Sequence, residues 1–369
     1  MPVANPHSHA NYTIEELVDY SVQAFDSMGK YDVPENIIPV RSSKKDQGTY
    51  RVYEADAFQS NLFQALADCQ VAPVATWGHT TQPYIIAPSG LRDKISDRDL
   101  VNEEESIDLF RDTALFLARN SIKSRNKAFA DAFLTPGEWA TDVTGKTAAP
   151  DDGVFNDATH GTNPLEFQQF DQATSDPLAL LDRLCEVMQL TTELRPDTLI
   201  IPRRVMTHLK RNPQINQYGL QNPVGGIAGG EEYTLNVIAQ YVGLEASRIF
   251  VIDTVINNQT LTIDDATLAD LENGQTGKKI TQGAKNMEWL AEKNCLLMHI
   301  GDTNLGQRSM SAAAEFLWTG LYPKNERGNF KIKTYYNEEG EFTWVEARHA
   351  FKYQIIAPAL GILLVDCIA

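Results

Sequence analysis

The stretch Arg195–Ile215, RPDTLIIPRRVMTHLKRNPQI, is where the sequence most nearly places reactive side chains at a junction between a strand and a helix. DTLII predicts a short buried strand, and PRRVMTHLKRNP predicts a short helix bracketed by prolines. Enzymes often hold a nucleophile or a phosphate at such a junction. His208 lies one helical turn from Arg204 and Arg211 and could act as a base. Because no partnered serine or cysteine nucleophile accompanies it and GxSxG is absent, the pattern favours a surface histidine on a packing helix.

The basic residues of this helix form the best candidate anion site of the chain. They are Arg203, Arg204, Lys210 and Arg211. Four charges on a short helix usually form a solvated face. The alternative is a weak contact with a phosphate or with an acidic neighbouring subunit.

Three other motifs resemble ligand sites but miss the required spacing. GGIAGG at Gly225–Gly230 is not GxGxxG and follows no predicted strand, so it reads as a surface loop. DDGVFND at Asp151–Asp157 lacks the spacing and the distal glutamate of a calcium loop. His7 and His9 form an HxH pair with no third ligand. The sequence therefore predicts no catalytic residue, no cofactor and no metal site.

Composition narrows the class of protein further. The chain has 369 residues, 43% of them hydrophobic and 22% charged, which is enough for a large core. Its net charge of −17 and the lack of a long Lys/Arg block argue against a dedicated DNA-binding protein. The four cysteines, Cys69, Cys185, Cys295 and Cys367, are far apart in apolar surroundings and are predicted to be reduced core thiols.

No segment is predicted to enter a membrane or to direct export. The first residues, MPVANPHSHANYTIEEL, lack the basic start and apolar run of a signal peptide. The most apolar run, Tyr353–Ala369, is interrupted by Pro358 and Asp366 and is shorter than the ~20 residues of a spanning helix. Its composition favours a pair of buried strands.

The strongest helix prediction covers 103–133. Leu115, Ala118, Ile122, Phe129 and Phe133 recur on one helical face, and three glutamates at 103–105 suit the helix N-terminus. Before this helix, a charged turn at Lys44–Gly48 leads into a predicted strand, Thr49–Tyr53, with a second strand near Tyr84–Ala87. This earlier region fits a long hairpin or flap better than a compact domain.

Beyond residue 175 the pattern changes to alternating helices and strands. Ser175 or Asp176 is predicted to cap a helix with Pro177 in its first position. EEYTLNVIAQYVG predicts another helix, and RIFVIDTVI and NCLLMHIG predict strands, which together indicate a small α/β domain. FKIKTYY and FTWVEARH, joined by NEEGE, predict a β-hairpin before the apolar C-terminal run.

Four segments, in this order, resemble the major capsid proteins of tailed bacteriophages, whose shell fold is named after phage Hong Kong 97. They are Ile38–Phe58, Phe129–Gly145, Phe167–Met188 and Arg195–Ile215. The resemblance runs from about residue 20 to residue 369. It implies an α+β chain with an N-terminal arm, an extended β-hairpin loop, a long spine helix, a peripheral domain and an axial α/β domain.

The resemblance also implies domain boundaries. The N-terminal arm is expected at 1–40 and the extended loop at 41–100. The spine helix and the first part of the peripheral domain are expected at 101–175, and the axial domain at 176–320. Residues 321–369 would form C-terminal strands that complete the peripheral domain.

The implied function is structural rather than enzymatic. The chain would be the major capsid protein of a tailed phage or prophage, made in the host bacterial cytoplasm and assembled into hexamers and pentamers of an icosahedral virion capsid. Its partners would be itself, a scaffolding protein, a portal and, as a further candidate, a decoration protein, with packaged double-stranded DNA contacted only non-specifically. Two alternatives stay open: an encapsulin-type nanocompartment shell, and an α/β enzyme with an unrecognised site.

Two groups of residues are expected at interfaces between subunits. The loop contributes its charged turn and first strand, and the axial domain contributes its basic helix and glycine-rich loop, which would lie near the centres of hexamers and pentamers. The predicted interface residues are Lys44, Lys45, Asp46, Tyr50, Val52, Arg203, Arg204, Gly225, Gly226, Gly229 and Gly230.

Overall fold

The structure is a computed structural model that describes residues 37–53, 79–102, 108–149, 155–156, 165–221, 230–257, 287–301, 311–320 and 330–369. Nearly all of the predicted N-terminal arm, the three glutamates at 103–105, Cys69, Gly225, Gly226 and Gly229 lie outside these residues.

Six α-helices lie in the described ranges. They are α1 (Asp97–Val101), α2 (Leu109–Phe133), α3 (Pro177–Thr192), α4 (Arg203–Leu209), α5 (Pro213–Gln221) and α6 (Glu231–Val242).

The strands of the same ranges belong to five sheets. They are β1 (Val40–Ser43), β2 (Gln47–Tyr53), β3 (His79–Ile85), β4 (Ser89–Ser96), β5 (Thr141–Lys146), β6 (Phe155–Asn156), β7 (Glu166–Gln168), β8 (Thr198–Pro202), β9 (Ile249–Ile252), β10 (Val255–Asn257), β11 (Met287–Trp289), β12 (Cys295–Met298), β13 (Ala313–Trp318), β14 (Phe330–Asn337), β15 (Phe342–His349), β16 (Phe351–Ile355) and β17 (Gly361–Val365).

The long helix α2 confirms the strongest sequence prediction, with a correction at its start. It ends at Phe133, as predicted, but begins at Leu109 because Asp108 caps it by accepting a hydrogen bond from the N–H of Arg111 at 3.0 Å. Its 25 residues span roughly 37 Å at ~1.5 Å per residue. Of the predicted apolar face, Ala118, Ile122, Phe129 and Phe133 are buried and Leu115 is half-buried.

The largest sheet has the order β6–β7–β5–β17–β12–β8–β9 and is covered on both faces. Leu199 and Ile201 of β8 face α3, α4 and α6, whereas the intervening Ile200 faces the C-terminal half of α2. Strands buried on both faces carry continuous apolar runs rather than alternating ones. The predicted buried strand DTLII is therefore confirmed as the core of β8, which extends to Pro202.

Two predicted boundaries near this sheet are wrong. Pro213 does not simply end the basic helix: it is the first residue of α5, and Asn212 caps that helix by accepting the N–H of Gln214 at 2.9 Å. RIFVIDTVI is not one strand, because β9 pairs with β8 while β10 pairs with β11 in a separate sheet.

The apolar C-terminal run forms two strands, as predicted, but they do not pair with each other. β16 pairs with β13, and β17 lies between β12 and β5 in the largest sheet. The end of the chain therefore contributes to two different sheets. The domain boundaries given above stay a prediction.

The predicted hairpin at the end of the chain is confirmed as β14 and β15. Its third strand is β4, which comes from the segment predicted to be extended loop. This sheet packs on the N-terminal half of α2 through Ile95, Ile332, Val345 and Ala347. Within the described ranges, no helix has the length and apolar character needed to cross a bilayer.

Candidate subunit-interaction surfaces

The base of the predicted extended loop is a hairpin of β2 and β3 that packs on its own subunit. Tyr50 is 8% exposed and Tyr84 is 9% exposed, and both rings contact Phe316 of β13, with centroids 5.7 Å and 4.3 Å away. Val52 is half-buried against the same cluster. Tyr50 was predicted to contact a neighbouring subunit, whereas its side chain here contributes to the packing of its own chain.

The charged turn before β2 has a fixed backbone and free side chains. Lys44, Lys45 and Asp46 are exposed. Their backbone is held because the indole of Trp318 donates to the carbonyl of Lys44 at 3.2 Å and the N–H of Ile86 donates to the carbonyl of Asp46 at 2.7 Å. The three charged side chains therefore project from a defined position, and their contact with a neighbouring subunit stays a prediction.

The basic helix α4 directs much of its charge into its own chain. Arg203 pairs with Glu231 and with Asp253, the latter at 2.9 Å, and Lys210 pairs with Glu231 at 3.1 Å. Burial opposes the charged carboxylate, but Arg203 and Lys210 outweigh it and lower the pKa of Glu231 from its ordinary value. This network ties α4 to the start of α6 and to the loop after β9.

The other predicted interface residues of this region are less constrained. Arg204 is half-buried and Arg211 is exposed. Gly230 precedes α6 as its N-cap residue in an extended conformation. Arg203 is thus committed to intramolecular ion pairs, which leaves Arg204 and Arg211 as the more available cations of α4.

A buried polar network crosses the middle of α2, and the sequence analysis missed it. Arg125 pairs with Glu315 at 2.7 Å, with side chains 5% and 0% exposed. The hydroxyl of Ser121 lies 2.8 Å from Nδ1 of His349, and the amide of Asn126 donates to the hydroxyl of Thr254 at 3.1 Å. The helical spacing of Arg125 could have indicated that this residue is buried.

Arg125 lies three residues after Ile122 and four residues before Phe129, and both of these residues are on the apolar face of the helix. The spacing therefore places Arg125 on the same buried face. A charge on an apolar face indicates either an error in the predicted face or a buried partner, and here the partner is Glu315.

Ser121 and His349 also give the closest approach to a nucleophile–base pair in the described residues. They line a cavity of about 170 Å³ beside β4. Burial and the nearby charge of Arg125 lower the pKa of His349 to about 4. A triad would need a carboxylate that raises imidazole basicity, so this pair is better suited to packing than to base catalysis.

The remaining potential chemistry is equally sparse in the part of the chain that is described. No group of three His, Cys, Asp or Glu side chains there could hold a metal ion. Cys185, Cys295 and Cys367 are free and buried, as predicted. Burial raises the pKa of Cys185 to about 11, so its thiol is protonated at neutral pH.

Comparison with solved structures identifies the type of fold. The chain matches a phage-related protein from Bordetella bronchiseptica RB50 with a TM-score of 0.60 and 13% identity, covering 95% of this chain and 97% of that one. It matches the capsid structure of the cyanophage P-SCSP1u with a TM-score of 0.50 and 13% identity, covering 90% and 88%. The SrpI encapsulin of Synechococcus elongatus PCC 7942 gives a TM-score of 0.47 and 11% identity, covering 92% and 90%.

The chain is thus a mixed α+β protein whose fold matches that of phage capsid proteins. This match agrees with the resemblance of the sequence to the major capsid proteins of tailed bacteriophages. A scan against protein-family models finds no match, and a search of curated proteins finds none either.

Proposed function

We propose that this chain is the major capsid protein of a tailed bacteriophage or prophage, and that copies of it assemble into hexamers and pentamers of an icosahedral shell around DNA. The observation that carries the proposal is a capsid-type fold matched over nine-tenths of the chain. A partial match could reflect one common domain. A match over this length covers most of this chain and most of each matched protein.

Local features of the subunit support a role in assembly. The Lys44–Asp46 turn projects three charges beside a packed hairpin base. Large apolar side chains are also exposed on the helices, including Phe116 at 52%, Leu190 at 85% and Leu220 at 77%. Scattered exposed apolar side chains are common in soluble proteins, but they would stabilise an assembly if a neighbouring copy buried them.

The proposal extends to the partners of the chain and to where the shell forms. A separate scaffolding protein and a portal would complete the shell, which would form in the host bacterial cytoplasm and end as the virion capsid. A decoration protein is a further candidate partner. With a net charge of −17, the shell would contact packaged DNA weakly and without sequence preference.

Electron microscopy of the purified full chain, alone and with co-expressed neighbouring head genes, tests the proposal. We expect closed icosahedral shells, or the sheets and tubes that misassembled shell proteins form. Shells that enclose a packaged enzyme instead of DNA would assign the chain to nanocompartments. A stable 41.1 kDa monomer under all salt and scaffold conditions would contradict a shell role.

A further inference from the structure

The sheet β4–β15–β14 concentrates positive charge on the face turned away from α2. Residues directly opposite each other in an antiparallel ladder point to the same side. The register therefore places on this face three rows: Lys94, Trp344 and Tyr335; Arg92, Glu346 and Lys333; Gly90, Arg348 and Lys331. We call Arg92, Lys94, Lys331, Lys333 and Arg348 the basic face. Five cations and one carboxylate in these rows contrast with the chain's net charge of −17.

The cations of the basic face are held on a rigid support. The guanidinium of Arg92 lies 4.4 Å above the ring of Trp344, and the ammonium of Lys94 lies 5.7 Å above the ring of Phe342. Both rings are buried beneath them. Cations that are already placed over aromatic rings lose less side-chain entropy when a carboxylate binds.

Part of the basic face lacks a partner within the described residues. Lys331 and Lys333 on the edge strand β14 form no ion pair with any described side chain, and Lys333 is exposed. On the β4 and β15 side of the same sheet, a groove of about 350 Å³ is lined by Gly90, Arg92, Glu346 and Arg348 among others. The surface therefore offers both charge and room for an acidic segment.

The turn of the same hairpin carries the opposite charge. Glu338, Glu339 and Glu341 are exposed, and we call them the acidic turn. The turn is ordered because Asn337 accepts the N–H of Glu339 at 3.1 Å. Lys333 lies four residues from Asn337, roughly 14 Å at ~3.4 Å per residue, so the turn does not cover Lys331 or Lys333 of its own chain.

We propose that the acidic turn of one copy docks on the basic face of a second copy. The inference rests on the proposed function, because a shell brings identical copies into contact. Two different patches of one chain that complement each other give a head-to-tail contact, which closes into a ring around a symmetry axis. Nucleic acid is the other polyanion available, but gripping it at every subunit would oppose the loose contact that a DNA container needs.

Charge reversal with rescue tests this contact on the full chain. The variants are R92E/K333E, which together with Glu346 makes the middle row of this face wholly acidic, E338K/E339K, which reverses the acidic turn, and a chain that combines all four changes. We expect each double variant to need an about tenfold higher protein concentration for half-assembly, because favourable ion pairs become repulsive. The combined chain restores complementarity, so its assembly returns to near the wild-type level.

The matched control is K123E/K127E, which makes the same charge change on exposed positions of α2. It should assemble as the wild type does, and circular dichroism should show that every variant folds. Raising sodium chloride from about 50 mM to about 500 mM should weaken wild-type association through screening. A combined chain that assembles no better than the double variants would overturn the proposal.

Other outcomes separate this inference from the proposed function. Normal shells from both double variants refute the docking contact and leave the shell role intact. A third outcome is that the wild type forms salt-sensitive oligomers but no shells. If each double variant loses these oligomers and the combined chain regains them, the docking contact is supported and the shell role is not. Normal assembly with loss of binding of R92E/K333E to a random DNA duplex would assign the basic face to nucleic acid and overturn the proposal.

Discussion

Arg125 and Glu315 form the most deeply buried ion pair in the described structure. Both side chains are almost fully inaccessible, and their oxygen and nitrogen approach to 2.7 Å. The guanidinium also lies 5.5 Å from the ring centre of Phe351. Burying two charges offsets most of their attraction. The pair therefore serves to fix α2 against β13 in one arrangement more than to add net stability.

We predict that R125M lowers the free energy of unfolding by about 3–5 kcal/mol, because it leaves the carboxylate of Glu315 buried without its cation. The double variant R125M/E315M should recover most of that loss, since no charge is then left unpaired. Urea unfolding of unassembled subunits measures both. K127M, at an exposed position two residues further along α2, should change stability by less than about 0.5 kcal/mol. Equal losses in R125M and R125M/E315M would contradict the predicted coupling.

His349 gives a pH-dependent prediction. The pKa of His349 is lowered from 6.5 to about 4 by burial and by the charge of Arg125. Between these values the unfolded chain binds a proton that the folded chain does not. The free energy of unfolding should therefore be fully retained above pH 6.5 and fall by about 3 kcal/mol as the pH drops to 4.

The control for this prediction is H349Q, which removes the titrating group but keeps a polar side chain near Ser121. Unfolding of both proteins is followed by denaturant titration at intervals between pH 4 and pH 7. Carboxylates contribute to both curves, so only the difference between them reports His349. Parallel curves over this pH range would show that His349 does not set the acid sensitivity.

Sequence reasoning worked at the residue scale wherever the determinant was local. The buried thiols of Cys185, Cys295 and Cys367 follow from apolar neighbours in the chain. The partners of Arg203 could not be predicted, because Glu231 and Asp253 lie 28 and 50 residues away. The contact of Tyr50 with Phe316 could not be predicted either, because these two residues are also far apart in the sequence.

At the scale of elements, the helix ends were the most predictable features. Asp176 caps α3 through hydrogen bonds from the N–H groups of Leu178 at 3.2 Å and Ala179 at 3.1 Å, and Pro177 takes the first turn. Capping depends on a few consecutive residues, so the sequence contains all that it requires. Strand partners depend on residues far apart, which is why the pairing of β4 with β15 and of β17 with β5 was not predicted.

The cap of α3 can be tested by a conservative series. D176A removes the side-chain acceptor of the N–H groups of Leu178 and Ala179 and should lower the free energy of unfolding by about 1 kcal/mol. D176N retains an acceptor oxygen, so its free energy of unfolding should stay within about 0.3 kcal/mol of the wild-type value. Thermal or urea unfolding distinguishes them. A loss as large in D176N as in D176A would attribute the effect to the lost charge rather than to capping.

At the scale of the whole molecule, the subunit is joined by segments that are distant in sequence. The largest sheet combines β5 and β7 with β8, β9 and β12 and with the C-terminal β17. The helix α2 contacts both this sheet and the three-stranded sheet β4–β15–β14. The fold class could be predicted from the order of elements and the resemblance. The two hairpins could also be predicted, but the larger sheets could not, because their strands come from distant parts of the chain.

The β2–β3 hairpin allows folding of the chain to be tested separately from the proposed assembly. Its base packs on Phe316 inside the subunit, and β4 just after it belongs to a sheet that covers α2. Deleting the whole predicted loop, 41–100, would therefore remove strands that stabilise the subunit. A shorter deletion is possible because Tyr53 and His79 are directly paired in the ladder.

We predict that replacing residues 54–78 by Asn-Gly leaves a folded subunit that cannot close shells. Asn-Gly forms the two-residue turn favoured between paired antiparallel strands, so β2 and β3 should keep their register and Tyr50 its place against Phe316. Circular dichroism and urea unfolding should match those of the wild type within about 1 kcal/mol, the typical effect of a single substitution. Electron microscopy should find no closed shells, because the resemblance places the removed segment over an adjacent subunit. An unfolded variant would show that 54–78 belongs to the subunit core, and normal shells would show that the loop is not needed for assembly.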